Sequence, residues 1–303
     1  FCAITGGSSA LWPLPVACLS LEQKREVHRL LLSCGASIRE INAVRKHLSQ
    51  IKGGRLALAA FPAEVINLTV SDVTGDPLDY ITCPTVPDTS TFDDARAVLD
   101  RYTLWDAMPG PAADHLRTVT PEQENPRDFG QSRVHTFLLV TSGQVCDEAT
   151  KAAAARGYEP VILSYEMEGD SATLGAEFGR TIAASARGRR SAIIAGGETT
   201  VTLRDRYGEG GPNQEFACAA ALALTTEHQV VLSLDTDGTD GPTDLAGGLV
   251  DLSTVERAAA EGLDITSALE GHDVSPVLRR LDDAVVTGHT GTNVNDLKIA
   301  LCG

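Results

Sequence analysis

Ser191-Ala192-Ile193-Ile194-Ala195-Gly196-Gly197-Glu198-Thr199-Thr200 runs from a short apolar stretch straight into paired glycines and polar groups. A buried strand that opens into a glycine-rich loop is the layout of an α/β protein, where ligand sites form at strand ends. Residues 230–234 lead in the same way into Asp235-Thr236-Asp237-Gly238-Thr239-Asp240-Gly241-Pro242-Thr243-Asp244. Gly210-Gly211-Pro212-Asn213-Gln214-Glu215 lies between the two, and Thr290-Gly291-Thr292-Asn293-Val294-Asn295-Asp296 follows. Glycine lets backbone approach a ligand and leaves N–H groups open to phosphate. Carboxylates in the same loops can hold Mg²⁺. Together these loops point to phosphoryl-transfer chemistry.

Around them, strand and helix patterns alternate, which predicts an α/β class with mainly parallel or mixed sheets. Ser20-Leu21-Glu22-Gln23 and Ser37-Ile38-Arg39-Glu40 are capping boxes that start helices over 20–33 and from 37. Gly35 ends the first, and Ile38, Ile41, Val44 and Leu48 form the buried stripe of the second. Residues 65–70 read as a strand and 91–102 as a helix. Residues 106–132, rich in Pro, Gly and charge, read as a linker. Residues 134–140, 144–155 and 159–163 read as a βαβ unit, followed by a helix at 174–186. The expected domains are 1–128 and 129–303. Phe1-Cys2-Ala3-Ile4-Thr5-Gly6-Gly7 opens inside an apolar run without Met, so the sequence is expected to begin within a domain.

Net charge is −16, from 25 basic and 41 acidic residues, which argues against nucleic-acid and anionic-membrane partners. Seven scattered cysteines form no Cys-x-x-Cys, as in a reducing, cytoplasmic compartment. Against this acidic background, Arg45, Lys46, Lys52 and Arg55 concentrate positive charge suited to a carboxylate or to phosphates. Thr5-Gly6-Gly7-Ser8-Ser9-Ala10 could cradle phosphate through its amides and hydroxyls. Ser71-Asp72 follows a β-rich run, where a carboxylate can take a proton from a hydroxyl or hold a metal. Asp235, Asp237, Asp240 and Asp244 crowd one loop, and carboxylates clustered without a cation repel one another, so a Mg²⁺ or ribose site is expected there.

The ordered set of motifs resembles the class II glycerate kinases, the family with a MOFRL C-terminal domain. It comprises Ile41-Asn42-Ala43-Val44-Arg45-Lys46-His47-Leu48-Ser49, Ile51-Lys52-Gly53-Gly54-Arg55-Leu56, Ser71-Asp72-Val73-Thr74-Gly75-Asp76-Pro77 and Pro84-Thr85-Val86-Pro87-Asp88, with the four later loops. The resemblance covers nearly the whole sequence. It implies two Rossmann-like α/β domains with the active site in the cleft between them, and a MOFRL-like domain at about 191–303. It implies ATP- and Mg²⁺-dependent phosphorylation of D-glycerate, usually at the 2-hydroxyl, in the cytoplasm, with a homodimer as the candidate assembly. Asp72 aligns with the family's catalytic aspartate, and Arg45 and Lys46 are expected beside it. Lys52, Arg55 and Ser71 are expected on the substrate. Gly6, Gly7, Ser8, Gly197, Glu198, Thr199, Asn213, Thr290, Thr292 and Asn293 are expected on phosphate or nucleotide, and Asp237 and Asp240 on the metal. This sequence departs from the family at Pro212, where many members carry Arg, at Thr82-Cys83-Pro84, and in lacking the family's upstream lysine. The alternatives are a hydroxypyruvate reductase, which would need a Gly-x-Gly-x-x-Gly turn that the sequence does not show, and a truncated homologue that binds without turnover.

Overall fold

Two units make up the computed structural model, Phe1–Leu139 and Val140–Gly303. It describes all residues except 6–7, 72–74, 76–77, 79–83, 186–189 and 204–205.

In the first unit, strands β1 (Cys2–Ile4) and β2 (Val65–Val70) pair in parallel, and β3 (Val134–Val140) completes a three-stranded sheet in the order β1-β2-β3. Helices α1 (Leu21–Ser33) and α2 (Ile38–His47) begin where their capping boxes predict, with Ser20 and Ser37 each accepting from the backbone three residues on. Each such cap is worth about 1 kcal/mol. Ile41, Val44 and Leu48 are buried, whereas Ile38, on the first turn beside its cap, is 58% exposed and leaves the stripe. A short α3 (Arg55–Ala59) and a capped α4 (Phe92–Arg101) follow.

The expected linker at 106–132 is instead packed structure. It contains α5 (Gly110–Thr118), whose Ala112, Ala113 and Leu116 join the core with Leu31, Val44, Phe92 and Leu99. Pro111 at the helix start and two alanines make this turn look polar and irregular in sequence. The predicted βαβ unit at 134–163 is also corrected, because β3 belongs to the β1-β2-β3 sheet while the next strand belongs to another.

The second unit holds a six-stranded mixed sheet in the order β4-β5-β9-β6-β7-β8. Its chain order is α6 (Ser142–Ala155), β4 (Glu159–Asp170), α7 (Ser171–Ser185), β5 (Ser191–Thr200), α8 (Pro212–Ala221), β6 (Gln229–Asp235), β7 (Gly247–Asp251), α9 (Ser253–Ala260), α10 (Ile265–Glu270), α11 (Ser275–Leu281), β8 (Ala284–Val285) and β9 (Asp296–Cys302). Among its described strands only β4 and β5 pair in parallel; β9 lies antiparallel between β5 and β6. Ile193 and Ala195 of β5 pack with Phe178, Ile182 and Phe216, and the alternating Ala192 and Ile194 are buried on the other face. A strand covered on both faces reads as an unbroken apolar run, which is why 191–195 stood out in the sequence.

The glycines after that run do not begin a loop. Gly196 to Thr200 continue β5: Gly196 and Gly197 pair with β9, and Gly197 to Thr200 with β4. Gly197 has φ 135°, and a Cβ there would overlap the backbone of Met167. The glycine serves close strand approach at this point.

Candidate active site

The antiparallel registers bring three of the predicted loops level. Gly197 of β5 and Asp235 of β6 both pair with Asp296 of β9. The turn after β6 and the loop before β9 are then tied together. Thr236 donates its N–H (3.2 Å) and hydroxyl (2.7 Å) to the Asn295 carbonyl. The Thr290 N–H reaches the Asp237 carbonyl (3.1 Å), and its hydroxyl reaches the Thr236 carbonyl (2.6 Å). Asp237, Thr290, Thr292 and Asn293 therefore gather at one place, with Thr290 and Thr292 exposed. Asn293 Oδ1 accepts from the Asn295 N–H (3.0 Å). Glu198 is exposed on β5.

Beneath this rim lies a buried network. Asp296 accepts from the Thr199 N–H (3.1 Å), the Asn213 amide (2.8 Å) and the Lys298 ammonium (2.5 Å). Lys298 is fully buried, with its Nζ 5.4 Å from the Phe216 ring centroid. Burial pushes the Lys298 pKa down, and Asp296 opposes that shift. Asn213 also donates to Asp240 and accepts from the Ser233 hydroxyl (2.6 Å), so its side chain is committed. Asn213 and Thr199, both predicted on nucleotide, instead tie α8, β5, β6 and β9 together.

Asp240 caps α8 from outside the helix. Its two oxygens accept the N–H groups of Asn213 (3.0 Å) and Gln214 (2.9 Å) and both side-chain amides. Burial raises its pKa to about 6, opposed by those four donors. Both oxygens are thus occupied, and the predicted metal role does not suit this residue. The expected repulsion among the four aspartates is relieved without a cluster: Asp244 pairs with Arg279, and Asp240 with the α8 amides. Asp235 keeps the tension. Burial, then the charges of Asp237, Asp296 and Asp240, raise its pKa to about 7. Among the described residues, no three His, Cys, Asp or Glu side chains gather as a metal cage. A Mg²⁺ carried by phosphates needs only one or two carboxylates. The Asp235–Asp237 turn offers that number.

In the first unit, the four predicted cations divide. Lys46 is 2% exposed and forms a 2.6 Å pair with buried Asp88. Arg55 donates through Nε to Asn125 (2.5 Å) and through Nη2 to the Gln123 carbonyl (2.8 Å), and Asn125 donates to Asp88 (2.7 Å). Gly53, at φ 63°, leaves the space these groups fill, since a Cβ would strike Asn125 and Asp88. Burial pushes the Asp88 carboxyl up, but Lys46 and Ser90 more than offset it, leaving the pKa below the usual range. Lys46 and Arg55 are therefore anchored inside the fold. Arg45 and Lys52 line an open cavity of about 250 Å³, joined there by Lys24, Arg25, His28 and Arg29 of α1.

Gly6, Gly7 and Asp72 lie outside the described residues. Ser8 accepts the Thr5 N–H (3.1 Å) at the start of a short 3₁₀ turn, and Ser71 is buried directly after β2. Sequence reasoning missed Asp88, Asn125, Lys298 and the α1 cations as parts of these sites. Asp88 and Asp296 were visible only as ends of quoted motifs. Arg25 and Arg29 follow the helical period of a solvated face, whereas Lys24 is buried with Val27 and Leu31.

Family models match the chain at two places: a domain of unknown function, DUF4147, over residues 1–117, and the MOFRL family over residues 191–296. The chain is 38% identical to a glycerate 2-kinase of Pyrococcus horikoshii, over 99% of this chain and 70% of that protein. It is 39% identical to a putative hydroxypyruvate reductase of Agrobacterium vitis, over 99% of this chain and 78% of that one. A crystal structure of a glycerate kinase from Thermotoga maritima superposes with a TM-score of 0.91 at 39% identity, covering 99% of this chain and 72% of that one.

Proposed function

The chain belongs to the glycerate kinase family of the MOFRL type, and on that premise we propose that it transfers the γ-phosphoryl group of ATP to the 2-hydroxyl of D-glycerate. The observation that carries this reading is the likeness to a glycerate 2-kinase along 99% of the chain. In the reaction, the hydroxyl oxygen bonds to the γ-phosphorus as the bond to the ADP oxygen breaks. Asp72 takes the hydroxyl proton, and Arg45 and Lys52 hold the carboxylate of the acid. The Asp237 and Thr290–Asn293 rim holds the nucleotide, with the Asp235–Asp237 turn facing its Mg²⁺. A Mg²⁺ held by Asp235 and Asp237 would supply charge neutralisation at the nucleotide's phosphates. Such catalysis is positioning and charge neutralisation.

The Agrobacterium vitis relative's name supplies a second reading, reduction of hydroxypyruvate. A nicotinamide cofactor needs a glycine turn between strand and helix. Gly196 and Gly197 lie inside β5 instead, which favours the kinase. Among the described residues no helix is long and apolar enough to cross a membrane. The described cysteines are free, as a reducing, cytoplasmic setting would leave them.

The test is ³¹P-coupled proton NMR of the product formed from D-glycerate and MgATP, beside an NADH oxidation assay with hydroxypyruvate. Coupling at C2 is expected, with no NADH consumed. Coupling at C3 would refute the regiochemistry, and hydroxypyruvate-dependent NADH loss would replace the kinase with a reductase.

A further inference from the structure

The rim at Asp237 and Thr290–Asn293 offers hydroxyls, an amide and a carboxylate, which suit phosphates and a metal but not the base of a nucleotide. A base needs flat apolar walls and a few placed polar atoms. The second unit has such a place. Leu203, Tyr207, Pro212 and Pro242 line a cavity of about 210 Å³, joined by Glu215 and His272. Drug-sized ligands take pockets of about 300 Å³ or more, so this one fits a single ring system. Leu203 and Tyr207 are 53% and 59% exposed, so both have surface left to cover a ligand.

The cavity adjoins the rim. Gly241 and Pro242 line it, and both belong to the loop that carries Asp237. Gly241 has φ 62° and packs so closely that a Cβ would strike the Gly210 carbonyl. Four residues of chain span at most about 14 Å, which keeps this wall within a nucleotide's length of Asp237.

Glu215 reaches the cavity from the first turn of α8. Its side chain is 4% exposed, and one oxygen meets His272 Nδ1 at 2.9 Å. Among the described residues the other oxygen has no hydrogen-bond partner. A carboxylate oxygen set among apolar walls calls for a donor. His272 has φ 49°, a left-handed conformation that a non-glycine residue adopts at a cost, and it is held there against Glu215.

We propose that this cavity is the base site of the nucleotide and that Glu215 makes it selective for adenine. The assignment rests on the kinase reading above in taking ATP as the ligand, and adds the residues that choose which nucleotide serves. The ring lies against Tyr207, Leu203 and the two prolines, and its amino group donates to the open oxygen of Glu215. Guanine carries a carbonyl oxygen at that position, and two acceptors facing each other repel. Turned over, guanine offers two donors side by side, and Glu215 has one oxygen left for them.

The test is calorimetric titration of the full chain with adenosine, guanosine, ADP, GDP and inorganic tripolyphosphate, in the parent, in Glu215→Gln and in Tyr207→Ala. In the parent, adenosine and ADP should bind at least tenfold more tightly than guanosine and GDP. Glu215→Gln places an amide that both donates and accepts, so the preference should shrink to less than about threefold. Tyr207 is on the surface, so Tyr207→Ala should keep the fold and decides the matter if Glu215→Gln does not fold. It should cost about tenfold for adenosine and nothing for tripolyphosphate. Equal affinities for the two bases in the parent, a preference untouched in folded Glu215→Gln, or adenosine binding unmoved in Tyr207→Ala would each overturn the assignment. The two readings fail separately. Glycerate phosphorylated equally well from ATP and GTP removes the base site alone. Adenine-selective binding that responds to both variants, with no phosphorylation of glycerate, removes the kinase reading alone.

Discussion

Each unit of the molecule buries a lysine against an aspartate, and each unit also carries a proposed ligand-binding region of its own, one basic and one acidic. Lys46 meets Asp88 at 2.6 Å in the first unit, and Lys298 meets Asp296 at 2.5 Å in the second. The cavity of the first unit is lined by Arg45, Lys52 and the basic side chains of α1, together with the apolar Pro13, Leu21, Val27 and Leu48. Above the second, the rim is carboxylate and hydroxyl: Asp235, Asp237, Thr290 and Thr292. The buried pairs fix neighbouring elements, and the charge of the side chains around each proposed site differs between the two regions. On the function proposed above, the first would take the acid and the second the nucleotide with its Mg²⁺.

The most severe way to break this division is Asp72→Asn. Loss of the proposed base on the acid-binding side should lower turnover by about two to four decades while the thermal transition stays in place. Near-normal turnover would leave the first region a binding surface without chemistry. Next come Asp88→Ala and Asp296→Ala. If both pairs are scaffold, each variant should lose about 3–5 kcal/mol in a urea melt, because a buried ammonium loses its contacting carboxylate. A loss in one unit and none in the other would show that the two networks are not equivalent.

The rims should separate in kinetics. Arg45→Ala should raise the KM for glycerate about tenfold and leave the Mg²⁺ requirement alone. Asp237→Ala should do the reverse, with a severalfold higher Mg²⁺ requirement. Identical profiles for the two variants would erase the distinction.

The smallest effect is one of pH. Asp235 has a folded pKa raised to about 7 from the ordinary 3.8. The native state therefore holds that proton more tightly than the unfolded chain, and stability falls as pH rises from about 4 to 7. Solvent reaches this side chain, so the loss should be on the order of 1 kcal/mol. Asp235→Asn should flatten that stretch of the stability–pH curve, and an unchanged slope would place the strain elsewhere.

What could be read from the sequence also differs between the regions. In the second unit the loops were legible because β5 and β6 are covered strands whose apolar runs point straight at them. Antiparallel pairing of β9 with both was not legible, and it is that pairing which levels Gly197, Asp235 and Asp296. Without it, Gly196-Gly197 read as a loop and Asp240 as a metal ligand. In the first unit the basic segment was plain, but its division was not. Lys46 and Arg55 are held by Asp88 and Asn125, residues 42 and 70 positions away. The α5 core was hidden because two alanines and one leucine carry it.

The division of labour is tested most directly by hydrogen exchange of the full chain with two ligands added separately. With MgADP, protection is predicted over residues 235–240 and 290–296. With D-glycerate, it is predicted over 24–29 and 45–52. Protection of both regions by either ligand alone, or of α1 and α2 by MgADP, would contradict the account.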